Sequence, residues 1–405
     1  MLRSVFVELE KGRRNIISYR PNAHSFFSFA STLTFFSVIL GIKWVILIYA
    51  LYYMTACKKI TLYYQPTPGN VQIVSKLKGL ERVFYPHILW MLPQIQTVAY
   101  FVRTPLPHKH TQVVIPQDDG GAFDINVYEP EKMANHTVIT LHGLGGSSNS
   151  KNVRILASHL LKEGHRVVCL SARGTTCKLK TPVFFHIGWT KDLVSTFKHV
   201  LKTYPGSVSG IGFSLGGHWL TKTFGEMETH FSEEEISRIK GGMAISIPFD
   251  FVKISEYMKK PIPKRLYNRE FARKIHRFIR RNREVYESNG YPVDELLRLN
   301  TMHDLDMALT SRVFNIADLE EYYYRESCVR VIGNIRKPFL ILNSRDDPIV
   351  PEYTIPIKEC VQSNHVILAL TERGGHMGFL GYSNKISYAE EAAIEFVSVL
   401  SELSE

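Results

Sequence analysis

With 405 residues, 45% of them hydrophobic, the chain can bury at least one sizeable core, which excludes a disordered or low-complexity protein. The net charge of +11 does not point to nucleic acid. Residues 1–60 carry +6 and residues 259–287 carry +8, so the excess is local and the rest of the chain is slightly acidic. Five cysteines at wide spacing, with no C-x-x-C pair, argue against a zinc ribbon, a redox dithiol or a disulfide scaffold, and Cys169 reads as a buried free thiol.

The run His24–Cys57 is the most apolar part of the chain. It exceeds the roughly 7–15 apolar residues of a signal-peptide core and contains the roughly 20 that one membrane span needs. Lys43 interrupts it. A long tilted helix with Lys43 snorkelling fits, as does a span ending near Lys43 with Trp44, Tyr49, Tyr52 and Tyr53 at the interface. A buried helix of a globular protein is the plainer alternative. Arg3, Lys11, Arg13, Arg14 and Arg20 precede the run and Lys58 and Lys59 follow it, which favours a cytosolic N-terminus. Residues 1–60 therefore read as a basic segment and single-pass anchor of type II, in the endoplasmic reticulum, another endomembrane or the plasma membrane. Residues 61–110 read as an N-terminal extension. The one sequon, Asn135-His136-Thr137, abuts a predicted core strand.

From Thr111 onward, "TQVVIP" and "FDINVYEP" flank the turn signal "QDDGG" and predict a hairpin. Short apolar runs follow at Val138–Leu141, Val167–Leu170, Val208–Phe213, Met243–Ile247, Phe339–Asn343 and Val366–Leu370. Helical patterns lie between them, at Val153–Lys162, Leu193–Thr203 and Leu215–Phe224, and a last one spans Tyr388–Leu403. This alternation predicts an α/β architecture, a mostly parallel sheet with helices on both faces. Such sheets bind ligands beyond the carboxyl ends of their strands.

Four predicted strand ends carry chemistry. Ser214 follows Val208–Phe213 inside Gly212-Phe213-Ser214-Leu215-Gly216, a G-x-S-x-G sequence that can set a serine on a sharp strand-to-helix turn. His142-Gly143-Leu144-Gly145-Gly146 follows Val138–Leu141, Asp346-Asp347-Pro348 lies just past Phe339–Asn343, and Gly374-Gly375-His376 lies past Val366–Leu370. A serine hydroxyl needs a base, and His376 can serve. The imidazole in turn needs a carboxylate to hold its tautomer and stabilise its charged form. Adjacent side chains diverge, so Asp346 and Asp347 cannot both reach one ring. Asp347, deeper in the loop, is the first choice, Asp346 the second and Asp250 the third. The N–H groups of Leu215, at the helix start, and Leu144, in the glycine loop, are the natural oxyanion donors. His218, one turn past Ser214, reads as packing or bracing the turn. The order Ser…Asp…His matches the α/β-hydrolase order.

At this point the sequence resembles the fourth AB-hydrolase family, which comprises membrane-anchored animal lipid esterases, yeast ester-forming acyltransferases and bacterial relatives. The resemblance runs from about Leu62 to Ser383. It rests on "HGLGGSS" at His142, "RG" at Arg173, "HIGWTKDL" at His186, "GFSLGG" at Gly212, "EEYYYRESC" at Glu320, "NSRDDPIVP" at Asn343 and "GGHMGF" at Gly374. It implies Ser214 as nucleophile, Asp347 as acid and His376 as base. Members often carry Asn where this chain has His218, and Asn-x-Arg-Gly-Cys where it has "SARGT". The resemblance also implies a lipid ester, phospholipid or acylglycerol, as substrate.

Between Ile247 and Leu319 the strand pattern stops. Phe271, Ile275, Phe278 and Ile279 share one helical face, and Arg269, Arg273, Arg277, Arg280 and Arg281 crowd elsewhere. Residues 251–319 therefore read as a helical cap between two parts of the core, 111–250 and 320–405. The arginines either form a solvated face or rest on anionic lipid. The expected protein is an α/β-hydrolase with a cap and an N-terminal transmembrane helix, cleaving carboxylic esters of lipids at a membrane. Transfer of the acyl group to an alcohol, or a non-catalytic lipid-binding receptor or scaffold, are the alternatives. The absence of an H-x-x-x-x-D sequence leans toward hydrolysis. Neither metal nor organic cofactor is required, nucleic acid is not an expected partner, and no feature sets an oligomeric state.

Overall fold

A computed structural model of the chain describes residues 31–34, 41–99, 103–105, 108–382 and 385–402. It divides into two compact units, Met1–Tyr53 and Met54–Glu405. In the first, the described part comprises residues 31–34 and most of the 15-residue helix Ile42–Ala56. No helix among the described residues is long and apolar enough to cross a membrane. The earlier part of the expected span, residues 24–30 and 35–40, lies outside the described residues, as does the basic segment before it.

The second unit is built on one sheet of nine strands: β1 (Thr61–Tyr64), β2 (Thr111–Pro116), β3 (Ala122–Tyr128), β4 (His136–Leu141), β5 (Arg166–Ser171), β6 (Ser207–Phe213), β7 (Ile239–Ile245), β8 (Phe339–Ser344) and β9 (Val366–Thr371). Their order across the sheet is β1-β9-β8-β7-β6-β4-β5-β3-β2. The six strands from β9 to β5 are mutually parallel. The expected hairpin β2–β3 closes one edge and β1 the other, both by antiparallel pairing.

The parallel strands are apolar because both faces are covered. In β9, Val366, Leu368 and Leu370 enter the core on one face, while Ile367 and Ala369 enter the core on the other. The helices Lys191–Thr203 and Leu215–Gly225 pack on the first face through Leu193, Phe197, Trp219 and Phe224. Lys151–Lys162 and Tyr388–Glu402 pack on the second through Val153, Leu156, Phe396 and Leu400. All predicted strands and helices are present among the described residues, with ends moved by at most four residues; the expected end of the last helix, Leu403, lies outside those residues. The largest difference is at β7, which starts four residues earlier than expected, at Ile239, and stops two residues earlier, at Ile245, where Ser246 turns out of the strand at φ +53°.

β1 was not expected. Its four residues, TLYY, are half-buried throughout, without the alternation that marks a strand, yet they pair with Ile367–Leu370. The extension between residues 61 and 110 is thus wired into the sheet at its start. Between β7 and β8 the chain is helical, from Phe251–Lys259 through Arg269–Arg281 to Leu319–Glu326. In Arg269–Arg281, Ile275, Phe278 and Ile279 are buried and all five arginines are exposed, as the amphipathic pattern requires.

Candidate active site

Ser214 stands between β6 and the helix Leu215–Gly225 at φ +51°, ψ −119°, a region that costs a non-glycine residue about 1–3 kcal/mol. Neighbouring glycines make that turn possible. A Cβ on Gly212 would lie 2.5 Å from Gly216 O and Gly217 Cα, and one on Gly216 would lie 2.5 Å from His142 O. The turn is pinned by Ser214 N–H donating to Ile245 O at 2.8 Å.

His376 reaches this serine from the loop after β9. Its Nε2 lies 2.8 Å from Ser214 Oγ, and its Nδ1 lies 2.8 Å from Asp347 Oδ2. A carboxylate only accepts, so Nδ1 carries the ring proton and Nε2 presents its lone pair to the serine hydroxyl. Asp347 is buried, and its other oxygen accepts from Ile349 N–H and Val350 N–H at 2.8 and 2.9 Å. Asp346 diverges as expected. Its Oδ1 accepts from Gly375 N–H at 2.9 Å and so holds the histidine loop; burial raises its pKa. Asp250 is remote in role, capping the helix Phe251–Lys259 by accepting from Val252 N–H and Lys253 N–H.

The glycine loop passes directly over the serine. A Cβ on Gly143 would meet Ser214 Cβ at 3.1 Å, and Leu144, Ser214, Leu215 and His376 line one cavity. His142, which carried no role in the sequence reading beyond opening the loop, has one here. Its Nε2 must accept from Ala172 N–H at 3.1 Å, so its Nδ1–H donates to Gly143 O at 2.7 Å. Gly146 N–H donates to the same carbonyl at 3.0 Å. In a trans peptide, N–H and C=O point in opposite directions. Holding Gly143 O from two sides therefore fixes the direction of Leu144 N–H. Burial lowers the His142 pKa to about 4, which keeps the ring neutral.

A second residue had no sequence signal. Thr97, in the helix Pro93–Ala99, accepts from His376 N–H at 2.9 Å and donates to Pro93 O. Beside it, the buried Gln96 donates to Leu380 O and accepts from Leu380 N–H, both at 3.0 Å. The N-terminal extension thus grips the catalytic-side loop.

His218 is fully buried and outside the cavity lining. Its ring nitrogens sit 3.1 Å from Pro248 O and 3.0 Å from Glu326 O. Burial lowers its pKa to about 4, so the neutral ring donates to one carbonyl at a time and ties the serine helix to the segments around the cap. This is the bracing role expected of it. The motifs around Arg173, His186 and Glu320 also carry buried polar contacts, and His186, Ile187 and Tyr323 of the latter two line the cavity as well. Arg173 pairs with Asp192 at 2.6 Å and Asp119 at 2.7 Å, Trp219 Nε1–H donates to His186 O, and Tyr322 hydroxyl lies 3.1 Å from His186 Nδ1.

The cavity above Ser214 measures about 770 Å³. Phe185, Ile254, Met258, Phe271, Ile275 and Leu305 give it an apolar interior, with most of these residues supplied by the helical segment between β7 and β8. Lys274 from that segment lies across the glycine loop. Its stem covers Gly145, and its Nζ donates to Leu144 O at 3.2 Å.

A parallel sheet that carries serine, aspartate and histidine in this chain order at its carboxyl edge, under a helical cap, defines the α/β-hydrolase class. The curated proteins this chain is similar to are lipases and phospholipases. It is 28% identical over 367 residues to a zebrafish (Danio rerio) protein named monoacylglycerol lipase ABHD2, spanning 84% of this chain and 83% of that one. It is 25% identical over 380 residues to mouse (Mus musculus) phospholipase ABHD3, spanning 90% of each. To the Saccharomyces cerevisiae monoacylglycerol lipase it is 30% identical over 262 residues, which span 62% of this chain and 57% of the yeast protein. Among solved structures, the Pyrococcus furiosus esterase Pf2001 aligns with a TM-score of 0.47 and 18% identity, covering 72% of this chain and 92% of that one. No protein-family model matches the chain.

Proposed function

We propose that the chain is a serine hydrolase that cleaves carboxylic esters of lipids, a monoacylglycerol or a phospholipid, through an acyl-enzyme at Ser214. The observation that carries this reading is the hydrogen-bonded series Ser214–His376–Asp347 at the floor of a large apolar cavity. The relatives named as lipases and phospholipases support the same substrate class.

His376 Nε2 takes the Ser214 proton as Oγ attacks the ester carbonyl, and Asp347 stabilises the imidazolium that forms. Leu215 N–H and Leu144 N–H receive the oxyanion. Collapse breaks the bond to the alcohol, which leaves with the proton held by His376. Water then gives its proton to His376, attacks the acyl-enzyme and releases the fatty acid while the proton returns to Ser214. The cavity holds the acyl chain, so the free energy of burying its methylenes, about 0.8 kcal/mol each, favours long chains over acetate. The apolar run before Cys57 and its basic flanks support a single-pass membrane anchor as part of the same proposal.

Fluorophosphonate labelling of the wild-type chain and of Ser214→Ala tests the nucleophile. Labelling confined to the wild type is expected, and labelling that persists in the variant overturns the assignment. Product analysis with a monoacylglycerol and a phospholipid, each with and without added alcohol, tests the reaction. Free fatty acid is the expected product; an ester of the added alcohol as the main product would make the chain an acyltransferase.

A further inference from the structure

Two segments far apart in sequence meet at the cavity mouth: the turn and helix around Pro93–Ala99, and residues 259–266 at the opening of the cap. Val98 and Leu266 mark the rim, because each lines the cavity and is still 57% and 52% exposed. Met91, Leu92 and Ile95 are exposed beside Val98 at i, i+1, i+4 and i+7, and Ile262, near Leu266, is 68% exposed. The short helix cannot turn to bury this apolar face. Its other side is committed through Gln96 to Leu380 and through Thr97 to His376. Exposed apolar residues on both sides of a site entrance are the mark of an interaction surface.

Charge selects the partner. Residues 259–269 contain Lys259, Lys260, Lys264, Arg265 and Arg269 and no carboxylate, and all five side chains are exposed. None of them is in an ion pair among the described residues, whereas Arg273 and Arg277 further along are paired with Glu270 at 3.3 and 3.2 Å. Arg281 donates to Thr176 O. The cations available to an outside partner are therefore the five of 259–269, which flank the mouth, and Arg280, so the arginine face that the sequence pattern singled out contributes only in part. An apolar rim flanked by unpaired cations matches a leaflet with anionic headgroups.

We propose that this rim is a membrane-docking face. Leu92, Ile95, Val98, Ile262 and Leu266 enter the boundary between headgroups and acyl chains, the cations of 259–269 rest on anionic lipid, and the cavity opens into the leaflet. A lipid ester then reaches Ser214 without crossing water. The proposal rests on the lipid-ester reading above, and its test separates the two.

The full chain is mixed with phosphatidylcholine vesicles, with or without phosphatidylglycerol, that carry a photoactivatable phosphatidylcholine, and crosslinked peptides are mapped. Turnover is measured in parallel on vesicle-borne monoacylglycerol and on p-nitrophenyl butyrate, a monomeric ester. Crosslinks are expected in 91–98 and 259–266. The double variant Leu92→Glu/Ile95→Glu should lose those crosslinks and about tenfold of vesicle turnover, with butyrate turnover kept within about twofold. Lys260→Gln/Arg265→Gln should lose about tenfold of the preference for phosphatidylglycerol vesicles. Absence of crosslinks in both segments overturns the proposal, as does vesicle turnover that survives in Leu92→Glu/Ile95→Glu, which would leave the face to a protein partner. Crosslinks present without turnover of either ester would leave the docking face standing and sink the hydrolase reading instead.

Discussion

Substituting His142 can separate the aim of the glycine loop from the stability of the core beneath it. The ring makes two bonds to buried backbone, donating to Gly143 O at 2.7 Å and accepting from Ala172 N–H at 3.1 Å. His142→Gln retains an acceptor long enough for Ala172 N–H but no donor near Gly143 O. His142→Asn retains a short donor for Gly143 O but orphans Ala172 N–H. An unsatisfied buried backbone group costs about 1–3 kcal/mol. Gly143 O keeps its bond from Gly146 N–H, so the glutamine variant should lose the smaller share of stability, about 1 kcal/mol, and the asparagine variant about 2–3 kcal/mol. Activity should run the other way. Removing an oxyanion donor outright costs about 10²–10³ in kcat. Letting the Gly143–Leu144 peptide swing misaims Leu144 N–H without removing it, so His142→Gln should lose about 10–100-fold in kcat. His142→Asn should lose less than about tenfold. Both quantities are accessible from p-nitrophenyl ester kinetics and urea unfolding of the same preparations. If kcat falls in the order of lost stability, with asparagine worse than glutamine, His142 acts through folding alone and the orientation argument is refuted.

Asp347→Asn should lower kcat by about 10⁴, because the amide leaves the ring in the wrong tautomer, while Asp346→Asn, which can still accept from Gly375 N–H, should stay within about tenfold. Comparable losses in the two variants would remove the distinction between the neighbours. Gly212→Ala should abolish soluble expression, since its Cβ would overlap backbone at Gly216 and Gly217, whereas Gly333→Ala meets open space and should express normally. Acid should destabilise the protein before carboxylates titrate. His136, His142, His186 and His218 have pKa values lowered by burial to about 3, 4, 3 and 4, so the unfolded chain binds protons below pH 6.5 that the native state refuses. Their contribution is complete above pH 6.5 and is lost as pH falls toward 4, at up to about 1.4 kcal/mol per pH unit for each ring. Urea unfolding at pH 7, 6 and 5 reads that slope, and equal stability at all three would show that the rings are not held neutral.

The parts of this fold that could be read in advance share one property: their residue type is set by what surrounds them. β4, β5, β8 and β9 are buried on both faces, so only apolar residues serve there, and their runs stand out. The cap helix betrays its face by the spacing of Phe271, Ile275, Phe278 and Ile279. The meeting of Ser214, Asp347 and His376 was legible because each sits where an apolar strand gives way to glycine or charge, and because the proposed nucleophile, base and acid must be of particular types. The divergence of Asp346 and Asp347 followed from backbone geometry alone. β1 escaped notice because four half-buried residues carry no period.

The residues that hold the site in place were not legible, and the reason is chemical. Thr97 and Gln96 bind the backbone of His376 and Leu380, 279 and 284 residues away, and His142 binds the backbone of Gly143 and Ala172. A side chain that bonds to a peptide group places no demand on the side chain of its partner. No complementary residue type appears elsewhere in the sequence to reveal the pairing, and a threonine or glutamine in a short helix looks like any solvated residue. The same reasoning explains why the extension before Thr111 offered no site residue in the sequence. Its hold on the histidine loop passes through such bonds, and only the folded chain brings Thr97 to that loop.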